Sequence, residues 1–226
     1  MRGELSSGEF AKRHPLDWYV EEGWEWDQIA QAIGVEEELS EGVAIWDPCA
    51  GYGHSGSRLQ GWGFGGRIWL SDVVENVAWD DFDVRPAFFS ADFLEVTEPP
   101  ASPVSIWFNP PYSYRPGIAE AMIRHALTLA THRVVALMPN KWLAPGKDAK
   151  AWSNRSRLFR KDYPPSLVLH FSSRPSMPPG DRIHLMGNRA YRGGAVDYCA
   201  IVWDVPRPAA PGETRTIWLP PLGEQP

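Results

Sequence analysis

Two short stretches of this sequence combine residue types that do chemistry. Asn109-Pro110-Pro111-Tyr112 directly follows the apolar run Val104–Phe108. Two consecutive prolines fix φ and supply no backbone N–H, so they make a rigid turn. Such a turn aims the Asn109 amide and its neighbouring carbonyls at one point and sets the Tyr112 ring beside it. Asn109 Oδ1 and the Pro110 carbonyl can each accept a hydrogen bond from an NH2 group. The Tyr112 face can stack on a flat ring, worth about 1–3 kcal/mol per base. The pattern suits a planar amine; the plainer reading is a proline turn over a buried tyrosine. The second stretch, Asp47-Pro48-Cys49-Ala50-Gly51-Tyr52-Gly53, is a tight loop whose glycines allow left-handed dihedrals and close backbone approach to a ligand. It lacks the Gly-Lys-Ser/Thr ending of a phosphate-binding P-loop. Gly51, Gly53 and Gly56 keep the G-x-G-x-x-G spacing, but the leading Asp-Pro-Cys-Ala is unusual for a dinucleotide binder.

The elements that must position these stretches follow from hydrophobic periodicity. Residues 24–33 read as an amphipathic helix with Trp26, Ile29, Ala30 and Ile33 on one face, stopped by Gly34. Residues 43–46 form a short apolar run ending at Asp47, like a buried parallel strand. The glycine loop and a helix over about 54–60 come next. Further strands are expected at 67–70 (ending at Asp72), 86–90 (followed by Asp92), 104–108, 133–138, 167–171 and 198–203, with a helix over 117–130. This strand–helix rhythm predicts an α/β fold of Rossmann-like type, with a seven-stranded, mostly parallel sheet. In such sheets ligands sit at the carboxyl ends of the strands, where Asp47, Asp72, Asp92 and Asn109 should converge. The Pro/Gly-rich stretch 172–194 is long for a loop between strands, and long loops are often functional. We expect one domain over 1–206, with a proline-rich, extended tail at 207–226 whose Ile217-Trp218-Leu219 docks on the domain.

Composition narrows the partners. The chain has 226 residues and 43% hydrophobic residues, enough for a core. It contains no run of 18 apolar residues, so no membrane span is expected. Residues 1–10 lack a signal-peptide core. Two cysteines, Cys49 and Cys199, give neither a disulfide framework nor a metal cluster, so a reduced, cytoplasmic protein without a metal is the expectation. The net charge of -6 hides a segregation: residues 1–100 carry 20 acidic and 6 basic side chains, whereas residues 141–192 carry 11 basic and 3 acidic. A basic segment in an acidic chain suggests a polyanion site, the alternative being a solvated, loop-rich surface.

Taken together, these motifs resemble the class I S-adenosylmethionine-dependent methyltransferases. Within that class they resemble the amino-methylating group that includes the DNA N6-adenine methyltransferases of compact, phage-like type. The resemblance runs over about residues 14–205. It implies S-adenosylmethionine as cofactor, a cofactor half over about 14–100 and a catalytic and basic half over about 101–206. Asp47, Pro48, Ala50, Gly51 and Gly53 match the first cofactor-binding motif; Asp72 matches the acid used on the ribose hydroxyls. Asp92 and Phe93 match the acid and apolar residue around the cofactor's adenine. Asp17 and Tyr19 sit where relatives line the methionine end, and the strand at 198–203 matches the family's last, antiparallel strand. Asn109, Pro110, Pro111 and Tyr112 match the catalytic motif, with Asn109 also lying against the cofactor.

The implied reaction is direct methyl transfer to an exocyclic amine, adenine N6 in DNA first, on a base flipped out of its stack. Lys141, Arg155, Arg157, Arg174, Arg182, Arg189 and Arg192 would then face the nucleic acid, chiefly its phosphates, and Phe171 and Arg174 could border the flipped base. Only some two dozen residues separate the strands expected at 167–171 and 198–203, so a large separate recognition domain is not expected there. Cytosine N4, an RNA base and a protein glutamine N5 present the same amine geometry and remain rival substrates. The glutamine enzymes usually carry a helical N-terminal domain, for which the stretch before Val43 is too short. A binding protein that has lost catalysis is a further rival, against which the intact Asn109–Tyr112 motif argues.

Overall fold

The computed structural model describes residues 14–112, 114–144, 154–192 and 194–223. Part of the expected basic segment, residues 145–153, lies outside the described residues, as does the N-terminal stretch 1–13.

Helix α1 (Trp24–Ile33) buries Glu25, Trp26, Ile29 and Ala30, and Ile33 is half-buried at its end. Gly34, with φ 67°, ends the helix and returns its N–H to Ala30 O. A short helix α2 (Glu36–Ser40) leads into β1 (Ala44–Asp47), all four residues of which are buried. The glycine loop then opens into α3 (His54–Leu59), followed by β2 (Ile68–Asp72), β3 (Ala87–Ser90) and β4 (Val104–Phe108). Helix α4 (Ile118–Leu129) returns the chain to β5 (Arg133–Pro139). Beyond it lie short helices α5 (Asn154–Arg157) and α6 (Ile183–Met186), separated by β6 (Leu167–His170), and then β7 (Tyr198–Asp204) and β8 (Arg215–Trp218).

The strands form a sheet in the order β3-β2-β1-β4-β5-β7-β6-β8. β1 to β5 run parallel, and β7 inserts antiparallel between β5 and β6. The strand at 198–203 is therefore antiparallel, as expected, but among the described residues the sheet has eight strands rather than seven. The extra strand comes from the tail. β8 pairs parallel with β6, Val168 opposite Thr216 and His170 opposite Trp218, so the tail at 207–226 is not simply extended. Its docking splits by side chain: Leu219 is buried and Ile217 packs on the core, while Trp218 is 70% exposed and stacks on His170. The alternation of a strand explains this, since adjacent side chains point to opposite faces.

Both faces of the sheet are covered, which is why the central strands read as unbroken apolar runs. One face packs Trp46, Ile106 and Phe108 against Ile123 and Ala126 of α4. The other packs Ile45, Trp107 and Leu137 against Trp26 and Ile29 of α1 and Leu59 of α3. Burying side chains of this size contributes about 1.5–3 kcal/mol each. This two-sided packing fixes the strand ends, and hence the polar residues carried on them.

Candidate functional site

Strand order reverses between β1 and β4. In open α/β sheets the crevice beyond the strand ends at such a point is the usual ligand site. A cavity of about 540 Å³ lies here, within the range of roughly 300–1,000 Å³ typical of small-molecule sites. Asp72 at the end of β2, Asp92 just beyond β3 and Asn109 just beyond β4 all line it, as do Asp17, Tyr19, Pro48, Ala50, Gly51, Phe93 and Pro111.

The loop after β1 is built by its own hydrogen bonds. Asp47 is only 3% exposed. Its Oδ1 accepts from Cys49 N at 2.8 Å, and its Oδ2 accepts the Ser55 hydroxyl from the first turn of α3. Burial pushes its carboxyl up to about 8, against the hydrogen bonds from Ser55 and Cys49. Asp47, expected among the cofactor contacts, ties the loop to α3 from beneath and stands behind the cavity lining. Gly53 is also behind the lining. Its φ of 85° and the approach of Phe82 and Val77, within 3.0–3.1 Å of where a Cβ would be, demand glycine for packing. Gly51, with φ 50°, does face the cavity, and its N–H donates to Asp72 Oδ2 at 3.0 Å. Asp72 Oδ1 accepts from Val73 N at 2.7 Å. Burial raises the Asp72 carboxyl above the ordinary range, with these backbone donors pulling it down. Val74 N pulls in the same direction; an ionised carboxylate offers about four lone-pair positions, so at most two remain for a ligand.

Asp92 Oδ1 accepts from Leu94 N at 3.0 Å. Its neighbour Phe93 is buried against Trp46 and His125. Val73, Val74, Ile118 and Met122 add apolar side chains to the cavity wall. At the other end Trp18 lies over the glycine loop, its buried Nε1 without a hydrogen-bond partner and about 3.1 Å from where a Gly51 Cβ would stand. An unpaired buried donor is costly, and this one belongs to a cavity-lining residue.

The Asn109–Tyr112 motif departs from expectation in one respect. Tyr112 is half-buried and outside the cavity lining. Its hydroxyl donates to Asn109 Oδ1 and lies 3.2 Å from Leu137 O, and its ring packs on Tyr198. Burial lifts its hydroxyl well above the usual phenol range, so it stays a protonated donor. Tilted against Tyr198 with ring centres 6.1 Å apart, Tyr112 supports Asn109 from behind the cavity lining. Two residues on, Tyr114 does line the cavity and is 40% exposed, with the Arg115 guanidinium 5.8 Å from its ring centre. Pro110 is buried and outside the lining. Glu21, which sequence reading passed over, lines the cavity and accepts from Asn109 Nδ2 at 2.9 Å. No motif marks it, because its partner is 88 residues away.

The basic residues are divided. Lys141, Arg157, Arg189 and Arg192 are exposed. Arg155 is half-buried, donating to Ala144 O at 2.6 Å with its guanidinium near the Trp142 ring. Arg174 pairs with Asp197 at 2.7 Å, and Arg182 lies 3.8 Å from Asp181. Neither Arg174 nor Phe171 lines the cavity, Phe171 packing edge-on against Trp24. The long loop over 172–194 is instead pinned to the segment around Trp18: Gly180 N donates to Trp18 O, and Val20 N to Pro178 O. Among the described residues, no helix is long and apolar enough to cross a membrane.

No protein-family model matches the sequence, and no curated protein matches it. Solved structures do match by fold. A Listeria monocytogenes protein provisionally classed as a class I S-adenosylmethionine-dependent methyltransferase is 12% identical, over 96% of this chain and 70% of its own, with a TM-score of 0.58. The magnesium protoporphyrin IX methyltransferase of Synechocystis PCC 6803, solved with bound SAH, is 14% identical over 89% and 88% of the two chains, with a TM-score of 0.51. DrdV, solved in complex with DNA, is 13% identical over 90% of this chain but 28% of its own, with a TM-score of 0.55. The strand order and these likenesses together give this chain the fold of the class I S-adenosylmethionine-dependent methyltransferases.

Proposed function

We propose that the chain transfers a methyl group from S-adenosylmethionine to an exocyclic amine, with adenine N6 in DNA as the substrate. The observation that carries this reading is the placement of the Asn109 amide at the wall of a cavity whose donors and acceptors fit that cofactor.

The fit runs along the cavity. The lone pairs Asp72 has left suit two vicinal ribose hydroxyls. Asp92 suits an adenine amine, with Val73, Phe93 and Ile118 against the purine. The partnerless Trp18 Nε1 beside Gly51 suits the carboxylate of the methionine end, with Asp17 and Tyr19 near its amine. When bound, the cofactor supplies a methyl group on a positively charged sulfur. The protein's part is to hold the acceptor. Asn109 Oδ1, already taking one hydrogen bond from Tyr112, has a second lone pair for a hydrogen of the target NH2. The resemblance assigns the other hydrogen to the Pro110 carbonyl, although Pro110 stands behind the cavity lining; two such bonds would draw the nitrogen lone pair out of the ring plane and toward the methyl. Much of the rate enhancement is then positioning. Tyr114 offers the stacking face that the motif's own tyrosine does not, worth about 1–3 kcal/mol for a base.

DNA as the polymer is supported by the exposed Lys141, Arg157, Arg189 and Arg192, and by the likeness in fold to DrdV, which was solved with DNA. The test is transfer of labelled methyl to unmethylated duplex DNA, with nucleoside analysis. N6-methyladenine is the expected product. Cofactor binding without transfer to DNA overturns the substrate and turns the search to RNA or protein glutamine.

A further inference from the structure

Glu21 belongs to none of the sequence motifs, yet it accepts the shortest hydrogen bond that the Asn109 amide donates. It is 7% exposed, and its two carboxyl oxygens serve different donors: Oε1 accepts from Trp26 Nε1 at 2.8 Å and Oε2 from Asn109 Nδ2 at 2.9 Å. Its main chain is held as well, Glu21 O lying 2.6 Å from His54 Nδ1. Asn109 Nδ2 has weaker neighbours in Tyr19 O at 3.4 Å and Met177 Sδ at 3.9 Å, and Asn109 Oδ1 takes the Tyr112 hydroxyl.

An asparagine amide is nearly symmetric in shape, so sterics do not decide which end faces a ligand. The Tyr112 end does not decide it either. A hydroxyl both donates and accepts, so Tyr112 could accept from a turned Nδ2 while donating to Leu137 O. A carboxylate only accepts. A turned amide would set its oxygen against Glu21 Oε2, which the Trp26 indole holds in place from behind.

We propose that Glu21 is the positioning residue that locks the Asn109 amide with its oxygen toward the substrate, so that the site takes NH2 groups and rejects carbonyl groups. The functional side of this rests on the amine-methylation reading; the lock itself does not.

Reversing the polarity of the pair tests it. In Glu21→Gln the indole of Trp26, a pure donor, keeps the remaining oxygen, and the new NH2 faces Asn109 Nδ2. The Asn109 amide must turn, and its NH2 then meets the NH2 of the substrate. We expect kcat to fall roughly tenfold to a hundredfold, as for a hydrogen bond to the reacting group replaced by an opposed pair, with KM for S-adenosylmethionine little changed. Asn109→Asp sets two carboxylates against each other and should lose as much or more. The double variant restores the bond between the two side chains, losing only the long contacts to Tyr19 O and Met177 Sδ: the Gln NH2 donates to the introduced carboxylate, whose oxygens still serve Tyr112 and the substrate. It should exceed both single variants in rate. A merely structural role for Glu21 gives losses that add, and that result overturns the proposal.

A readout independent of turnover uses the isotope-labelled protein. The Asn109 side-chain amide, assigned by its disappearance in Asn109→Asp, should show one slowly exchanging, downfield proton in the parent. That signal should be lost in Glu21→Gln while the Trp26 indole signal stays. Two fast-exchanging, solvent-like protons in the parent overturn the lock without any variant at position 21. Absence of methyl transfer by the parent overturns the proposed function instead, and the amide signals still decide the lock.

Discussion

Replacing Asp72 with alanine should weaken S-adenosylmethionine binding while leaving the fold intact. The carboxylate already accepts Gly51 N at 3.0 Å and Val73 N at 2.7 Å, so it is held in one orientation before any ligand arrives. Two further hydrogen bonds, from ribose hydroxyls to an ionised acceptor, contribute about 1.5–3 kcal/mol each. Water entering beside the freed Gly51 and Val73 amides recovers part of that loss. A net of about 2–4 kcal/mol remains, which raises Kd roughly 30-fold to 1,000-fold. Titration calorimetry with S-adenosylmethionine and its demethylated product reads this directly, and a thermal melt of the free variant checks the fold. Acidity offers a second readout of the same residue. Burial raises the Asp72 carboxyl above the ordinary range, and only its ionised form accepts from both hydroxyls. Affinity is therefore full above that raised pKa and falls as pH drops through it, earlier than for an exposed aspartate. Asp72→Asn should flatten this dependence. A change in Kd of less than about threefold for Asp72→Ala, far below the loss of two charge-assisted bonds, would refute the placement of the ribose.

Four other outcomes follow from the same geometry. Asn109→Ala should abolish methyl transfer with cofactor affinity nearly intact, and Tyr114→Ala should weaken the amine substrate more than Tyr112→Phe does; single-turnover rates with matched binding measurements check both. DNA binding should fall steeply between low and moderate salt, because each neutralised phosphate releases counterions; a flat salt dependence removes the exposed Lys141, Arg157, Arg189 and Arg192 from the interface. Glu25 is fully buried and its carboxyl is pushed up to about 8 by burial, with Glu21 adding to the rise. Because the folded state binds this proton more tightly than the unfolded chain, the associated stability is complete below about pH 4.5 and is lost as pH rises through about 8. Glu25→Gln should therefore be more stable than the parent at pH 9 by roughly 2–4 kcal/mol and close to it at pH 5, as read by urea denaturation at both values.

The sequence by itself determined the layout. Apolar runs and turn residues are local signals, so the strands at 43–46, 104–108, 133–138 and 198–203, the helix after Gly117 and the stop at Gly34 are legible in it. A parallel sheet places its strand ends on one edge whatever the loops do, which brought Asp72, Asp92 and Asn109 to one crevice. What only the tertiary structure decided depends on partners far apart in the chain. Asp47 and Gly53 keep the spacing of ligand-binding residues, yet Ser55, Cys49, Phe82 and Val77 turn them to holding the loop. The motif's tyrosine was expected to face the ligand, but the space against Tyr198 and the acceptor on Asn109 draw Tyr112 inward and leave Tyr114 at the cavity. The tail read as extended because prolines surround it, and only the open edge of β6 made a strand of Arg215–Trp218. Glu21 was invisible for the same reason. A carboxylate near a tryptophan-rich helix looks like a solvated charge until the fold sets it 2.9 Å from the Asn109 amide, because burial and pairing are properties of the packed chain and not of any stretch of it.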